Sequence, residues 1–236
     1  MPLQTRRIHL LKRIRTPPAA GLFALSLGAL LLLLIAGFPG PAVNAAAEDP
    51  VGTSPIPVPW GDGTTVLLDG RFEAEEWRDA AVVTAPGGLE LRFKRHGAAV
   101  YIGVRTPGEI PRPVDLYVTD GNGPVRQIHA SMATGERFHE GHGCDVPDLP
   151  WTWYHHPGWT SNQAHLDRTR SSEIPLGLRL HPAEGVEFKI RRALIPGIRW
   201  RLRLDVGTFP GDEGTFSWPA NADCRDPGTW AVLELP

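Results

Sequence analysis

Four aromatic residues close together in the sequence are the strongest candidates for ligand binding. Trp151, Trp153, Tyr154 and Trp159 lie in a segment without regular alternation of apolar and polar residues. Trp151 and Trp153 are two positions apart, so in an extended chain both rings would lie on the same side. Flat aromatic rings suit the apolar face of a pyranose, and loops on a rigid scaffold often carry binding sites. The alternative is a small core in which these rings fix the segment against the rest of the protein.

Histidines in the same region could bind a metal ion. His139 and His142 are three residues apart, and His155 and His156 follow the first two tryptophans. Imidazole nitrogens together with a carboxylate such as Glu140 suit zinc or copper. A glycine-rich histidine segment can equally be polar surface, and no strict metal-binding signature is present. We therefore predict no resident metal and keep these four histidines as alternative ligands.

The sequence contains no recognisable catalytic centre. Ser131 and Ser161 lack the context of a nucleophile elbow. Glu75 and Glu76 fit the solvated face of a short helix, and no glycosidase pair of carboxylates can be assigned without geometry. We predict that the protein is not an enzyme.

Residues 1–45 have the composition of a bacterial export signal. Five basic residues and no acidic residue precede position 16, a charge-free apolar run covers 21–38, and small residues follow it. Secretory signals have this order of regions, and cleavage after Ala45 or Ala47 fits the small-residue rule. We expect a secreted or periplasmic protein. The alternative is an N-terminal membrane anchor, because the apolar run is about the minimum spanning length.

The mature chain would be acidic and would contain two cysteines. The whole chain has 24 basic and 26 acidic residues, and loss of the leader's five basic residues would leave 24 − 5 = 19 basic ones. This charge argues against nucleic acid, and against an anionic membrane surface after signal cleavage, as partners. Because an exported chain meets an oxidising compartment, we predict a disulfide between Cys144 and Cys224. A metal–thiolate pair and two free thiols are the alternatives.

Patterning beyond the signal predicts an all-β domain. Residues 46–62 are rich in proline and glycine and are assigned to a linker, with a loosely held strand as the alternative, and residues 63–236 to one domain. Short alternating segments at spacings near ten residues are typical of an antiparallel sandwich. The predicted inward-facing positions are Leu89, Leu91, Phe93, Val100, Ile102, Val104, Val114, Leu116, Val118, Leu176, Leu178, Leu180, Val186, Phe188, Ile190, Trp200, Leu202, Leu204 and Val206.

Three features interrupt or decorate this pattern. Residues 73–80 and 191–194 are predicted to form two short helical turns. Residues 131–173 show little alternation and are predicted to form one long irregular loop. The basic residues that alternate with the apolar ones are expected to face away from the core, namely Arg92, Lys94, Arg201 and Arg203.

The two ends of the domain resemble a known group of sandwiches. Asp69-Gly70, then Trp77 and two strands, open the domain; residues 186–194 look like a late strand with a short helical turn. Trp218-Pro219 and residues 227–235 look like the last strand and its approach. Over about residues 63–236 the chain resembles family 9 carbohydrate-binding modules and the wider DOMON-like sandwiches. The resemblance implies a jelly-roll-like sandwich in which Asp69 closes a turn or caps the helix and Trp77 is buried.

The resemblance also implies two functions. Carbohydrate-binding members hold a sugar between aromatic rings. On this resemblance we expect an exported, non-catalytic carbohydrate-binding module, with Trp218 as one more ligand contact. Other DOMON relatives hold a b-type haem, so the alternative is a periplasmic haem- or metal-binding redox module. Met132 or His129 would then supply the axial ligand. A third hypothesis is a structural partner of another envelope protein.

Overall fold

The structure, a computed structural model, describes residues 54–108, 112–141, 144, 149–154, 156–165, 169, 171–173, 180–207 and 215–236. The predicted export signal lies outside these residues. Leu176 and Leu178, two of the predicted inward-facing positions, also lie outside them. In the described part of the chain, no helix has the length and apolar character needed to cross a membrane. The described chain folds mainly as β-strands in two sheets, so the prediction of an all-β sandwich is confirmed.

Thirteen short strands and a one-turn helix, α1 (Ala74–Trp77), are found among the described residues. Short 3-10 turns cover Pro86–Gly88, Arg192–Leu194 and Pro227–Thr229. The strands are β1 Ile56–Pro57, β2 Ala81–Ala85, β3 Leu89–His96, β4 Ala99–Arg105, β5 Val114–Thr119, β6 Val125–Ala130, β7 Thr134–His139, β8 Thr152–Trp153, β9 Trp159–Ser161, β10 Gly185–Arg191, β11 Arg199–Val206, β12 Phe216–Trp218 and β13 Ala231–Glu234.

The strands form two sheets. Sheet A has the order β1-β13-β11-β5-β6-β7-β8, with β12 also paired to β11, and sheet B has the order β2-β3-β4-β10-β9. β1 belongs to the segment predicted to be a linker, yet it pairs in parallel with β13. Val58, directly after β1, is fully buried, and its N–H donates to the carbonyl of Glu234 over 2.8 Å. The sandwich therefore includes residues before position 63. The jelly-roll order of its connections stays a prediction.

Alternation places one side of each sheet in a common core, because successive side chains of a strand point to opposite faces. All the predicted inward positions that the structure describes are buried. Trp159 and Trp218 lie in the same core. The members of the core with no solvent exposure include Leu91, Phe93, Val100, Ile102, Val104, Leu116, Phe188, Ile190, Trp200 and Leu204.

A second, smaller cluster covers the outer face of sheet B. The chain around α1 brings Phe72 and Trp77 onto Tyr101 of β4, and the Phe72 and Trp77 rings stack with centroids 5.7 Å apart. Gly103 makes room for them, since a Cβ there would lie 2.7 Å from the Phe72 ring. Trp77 is therefore buried as predicted, but in this cluster rather than between the sheets.

Lys94 faces away from the main core, as expected, but it does not reach solvent. Its side chain leaves sheet B on the outer face but is completely buried. The covering segment supplies the carboxylate of Asp79 and a backbone carbonyl, each 2.7 Å from Nζ. A buried ammonium needs such partners. The other three basic residues, Arg92, Arg201 and Arg203, do lie on outer faces of the sheets.

The segment 131–173 is not one irregular loop, contrary to the prediction. β7, β8 and β9 lie within it, and the chain passes there from the edge of sheet A to the edge of sheet B. β7 escaped notice because polar residues occupy both of its sides. Glu136 faces the interior beside Arg126, whereas Arg137 and His139 lie on the outer face.

Candidate ligand-binding face

Cross-strand register brings distant polar and aromatic residues together on the outer face of sheet A. Asp115 lies opposite His129, His129 opposite Gly135, and Gly135 opposite Trp153. Alternation turns these positions away from the core, because their neighbours along the strands point into it. The next row contains Arg203, Tyr117, Gln127 and Arg137.

Two tryptophans form an aromatic surface at the β8 edge of this face. The rings of Trp151 and Trp153 stack with centroids 5.2 Å apart and planes inclined by 26°. Gly135 provides the seat, because a Cβ at this position would lie 2.6 Å from Trp153 Cε3. The guanidinium of Arg137 lies 4.6 Å from the Trp151 ring centroid. Trp151 is thus partly covered, whereas Trp153 remains 45% exposed.

His129 meets both tryptophan rings through its edge. Its centroid lies 5.7 Å from that of Trp151 and 5.9 Å from that of Trp153, at interplanar angles of 69° and 85°. Nδ1 of His129 donates to Asp115 Oδ1 over 2.9 Å, and Nε2 lies 2.9 Å from Ser131 Oγ. Both nitrogens are therefore engaged, and the orientation of the ring is fixed. The side chain of Asp115 is 31% exposed, so one carboxylate remains accessible next to the rings.

The order Asp115–His129–Ser131 is also the order of groups in a serine hydrolase triad. Here Ser131 belongs to the tight turn between β6 and β7, and its Oγ also lies 3.3 Å from both the N–H and the carbonyl of Ala133. We interpret the chain of hydrogen bonds as a clamp on the imidazole. This contact was not predicted from the sequence, and the absence of enzymatic activity stays a prediction.

A hydrogen-bonded network fixes the second row. Gln127 Oε1 accepts from Arg137 Nε over 2.6 Å and from His139 Nε2 over 2.9 Å. Gln127 Nε2 donates to the hydroxyl of Tyr117 over 2.9 Å. Burial, and after it the charge of Arg137, lowers the pKa of His139. Burial also raises the pKa of Tyr117. These two groups are therefore neutral near pH 7, and the charge of this row resides on the arginines.

The predicted disulfide between Cys144 and Cys224 is confirmed, with Cα atoms 5.3 Å apart. The two cysteines pack against Tyr117 and Trp230 on the outer face of sheet A. The N–H of Cys144 also donates to the carbonyl of Cys224 over 2.9 Å. The bond lies near Trp230, whereas Trp218 is on the opposite side of the sheet, in the core.

The structure separates the five predicted ligand contacts into two groups. Trp151, Trp153 and Tyr154 lie at the surface, and Tyr154 is 50% exposed. Trp159 and Trp218 are buried in the main core, where solvent-borne ligands do not reach them. Trp159 thus has a packing role, and ligand contact by the three surface rings stays a prediction.

Tyr154 has an unusual backbone. Among the described residues, it is the only non-glycine residue with a positive φ, which is 60°. Its N–H donates to the carbonyl of Thr134 over 3.1 Å, which holds the residue against β7. A left-handed conformation is unfavourable for a bulky residue and occurs often at functional sites. Tyr154 is thus an exposed aromatic residue that directly follows Trp153 in the chain.

The candidate metal and haem ligands that the structure describes are not assembled in one place. His142 and His155 lie outside the described residues. His139 is buried on the outer side of β7, whereas His156 stacks on Trp159 at 4.3 Å, beside the inward-facing Glu136. Among the described residues, no group of three or more metal-binding side chains occurs. Met132 is exposed at the β6–β7 turn, and both nitrogens of His129 are hydrogen-bonded.

Glu187 connects Asp69, Gly70 and Trp77, the residues that open the domain. This buried residue of β10 accepts hydrogen bonds at Oε2 from the N–H groups of Asp69 and Gly70, over 3.0 and 2.9 Å. Its Oε1 accepts from Trp77 Nε1 over 3.0 Å. Asp69 in turn closes the turn by accepting from the N–H of Arg71. Burial outweighs these bonds and raises the pKa of Glu187 to about 7. Asp69, Gly70 and Trp77 thus have a structural role.

A separate cleft lies elsewhere among the described residues. A cleft of about 360 Å³ is lined by residues of the β5–β6 turn, including Gly121 and Pro124, and by Glu140. This turn is at the opposite end of β6 from Ser131, so the cleft and the aromatic surface are separate features.

Comparison with protein-family models, with curated proteins and with solved structures finds no match to this chain. The likeness to family 9 carbohydrate-binding modules and DOMON-like sandwiches therefore stays a prediction.

Proposed function

We propose that this protein is an exported, non-catalytic carbohydrate-binding protein whose ligand contacts Trp153 and Tyr154 on the outer face of sheet A. The observation that carries the proposal is a stacked tryptophan pair, of which Trp153 is exposed, on the same face as an accessible carboxylate. Sugars present apolar C–H faces and a rim of hydroxyl groups. A site for them therefore combines aromatic rings with a few placed polar groups.

Each part of a sugar would find a partner on this face. The exposed ring of Trp153 offers the stacking surface, and Tyr154 stands next to it in the chain. Asp115 can accept hydrogen bonds from hydroxyl groups through the carboxylate oxygens that His129 leaves free. Carboxylate–hydroxyl bonds are charge-assisted and stronger than neutral ones.

Rigidity favours binding by these rings. Trp153 is held between the Gly135 seat and the clamped imidazole of His129. The backbone bond to Thr134 holds Tyr154. Side chains that are already ordered lose less conformational entropy when a ligand binds.

Affinity electrophoresis in gels containing soluble polysaccharides, together with pull-down on insoluble ones, tests the proposal. We expect at least one glycan to retard the purified protein, and Trp153→Ala to abolish the retardation. The matched control is Trp60→Ala, since Trp60 is also an exposed tryptophan (55%) but lies after β1. Equal retardation of both variants, or no retardation by any glycan with a folded sample, would contradict the proposal.

Export is part of the proposal, and the Cys144–Cys224 disulfide supports it, because such bonds persist in oxidising compartments. The alternatives stay predictions. No contact among the described residues adds to the argument for a haem- or metal-binding module, or for an envelope partner.

A further inference from the structure

Arg137 is a cation built into the edge of the aromatic surface. Its guanidinium stacks 4.6 Å from the centroid of Trp151, and its Nε is anchored to Gln127 Oε1 over 2.6 Å. Anchoring through Nε leaves the two terminal nitrogens, with four N–H groups, for other partners. The side chain is partly exposed, so a ligand on the tryptophan surface can reach it.

No protein carboxylate balances this charge in the described part of the chain. Arg203, in the same row, is paired with Asp205, and Asp115 is hydrogen-bonded to His129 through Oδ1. Other described arginines lie within ion-pair distance of a carboxylate, namely Arg78, Arg92, Arg105, Arg126 and Arg199. No described carboxylate lies this close to Arg137. Its neighbours Gln127 and His139 are uncharged at neutral pH.

We infer that the preferred ligand is an acidic glycan, whose uronic-acid carboxylate pairs with the terminal nitrogens of Arg137 while a pyranose ring stacks on Trp153. This inference rests on the proposed function and adds the chemical class of the sugar. A planar guanidinium matches a carboxylate through two parallel hydrogen bonds. Stacking on Trp151 and the bond to Gln127 orient the fork before the ligand arrives.

The charges on this face also orient the ligand. Asp115 lies on β5, two strands from Arg137 on β7, which is about 10 Å at the usual strand spacing. A carboxylate near Asp115 would be repelled, whereas hydroxyl groups there would donate to it. The acidic group therefore points towards Arg137, and the hydroxyl rim points towards Asp115.

Matched pairs of polymers test the inference directly. The purified protein is titrated with polygalacturonate, alginate and hyaluronan, and with the carboxyl-reduced form of each, at low salt. We expect at least one acidic polymer to bind about ten-fold or more tightly than its reduced form, the size expected for a charge-assisted hydrogen bond. Raising the salt concentration should narrow this difference, because salt screens exposed charges.

Two variants separate the charge from the stacking surface. Arg137→Lys keeps the charge but loses the fork and the Nε anchor, so we expect it to weaken binding of the acidic polymer about ten-fold and to leave the reduced form unaffected. Arg199→Lys is the control, because Arg199 is an exposed arginine of the same sheet paired with Glu234. Trp153→Ala should remove binding of both forms.

The outcomes distinguish the two proposals. Equal affinity for acidic and reduced polymers, or no effect of Arg137→Lys, would overturn the acidic-glycan inference and leave sugar binding intact. Failure of every polymer in both forms, and of the neutral glycans above, would overturn both.

Discussion

The outer faces of the two sheets are finished in opposite ways. On sheet B the chain around α1 forms a lid of its own, in which Phe72 and Trp77 pack on Tyr101. The polar groups beneath it, Lys94 and Glu187, each have several partners. On sheet A the disulfide covers one part, and the rest presents a stacked tryptophan pair, of which Trp153 is exposed, and the carboxylate of Asp115.

This difference indicates which polar groups stabilise the fold and which remain at an open surface. Polar groups buried beneath a lid must be satisfied internally, since an unpaired one costs free energy. Groups at an open surface can be satisfied by water or by a ligand. Glu187, which has the strongly raised pKa, is therefore a structural residue, whereas Asp115 and Arg137 lie on the open face that we propose binds the ligand.

The largest expected effect concerns the lid on sheet B. Trp77→Ala should lower the free energy of unfolding by about 3–5 kcal/mol, because it removes a buried ring and the donor to Glu187 Oε1. Urea denaturation measures the loss. Trp60→Ala, at an exposed tryptophan, should change it by less than about 0.5 kcal/mol. A folded Trp77→Ala sample should bind glycan normally, and weaker binding would show that the two faces are coupled.

A pH effect of up to about 3 kcal/mol is expected from Glu187 on the same covered face. Its folded pKa of about 7 exceeds the ordinary value of 4.5, so between these values the native state binds the proton more tightly than the unfolded state. Its contribution to stability is therefore full below pH 4.5 and declines as the pH rises to about 7. Unfolding free energies measured from pH 4.5 to 7.5 should show this decline.

Glu187→Gln serves as the control, because an amide does not titrate. The variant should be less stable at low pH, where it loses the matched hydrogen bonds, but its stability should decline less across the same range. Parallel curves for the two proteins would contradict the assignment of the titration to Glu187.

The smallest stability effect is expected on the open face. Gly135→Ala places a Cβ against the Trp153 ring, which should cost about 1–3 kcal/mol or displace the ring. Glycan binding should fall sharply, since the stacking surface is disturbed. Gly97→Ala is a suitable control: a Cβ at Gly97 would meet no atom within 4 Å, but its backbone in the β3–β4 turn is left-handed, so this variant should lose stability and keep binding. Unchanged glycan affinity in Gly135→Ala would place the site elsewhere.

Sequence patterning predicted those parts of the fold in which one side of a strand is uniformly apolar. β3, β4, β5, β10 and β11 alternate clearly, and their inward residues are buried as expected. β7 was missed because Glu136 occupies an interior position beside Arg126 and thus breaks the apolar pattern. β1 was not predicted as a definite strand, because two residues are too few to show an alternation of apolar and polar side chains.

The candidate site was predicted only in part. Trp151, Trp153 and Tyr154 were identified from their composition and spacing, but Trp159 and Trp218 had the same chemical character and are buried. Asp115 and Arg137 were not found, although Asp115 alternates with inward-facing Val114 and Leu116. That alternation could have marked Asp115 as outward-facing, but it could not have shown its neighbours.

The sequence by itself determined the all-β class, the side of each regular strand that faces the core, and the pairing of two cysteines. These follow from local periodicity and from the small number of choices. The tertiary structure alone decided which aromatic rings remain exposed, that the segment around α1 buries Lys94, and that Asp115, His129, Arg137 and Trp153 share one face. The physical reason is that periodicity states which residues share a side of a strand. Strand order, register and the covering chain decide what they meet there.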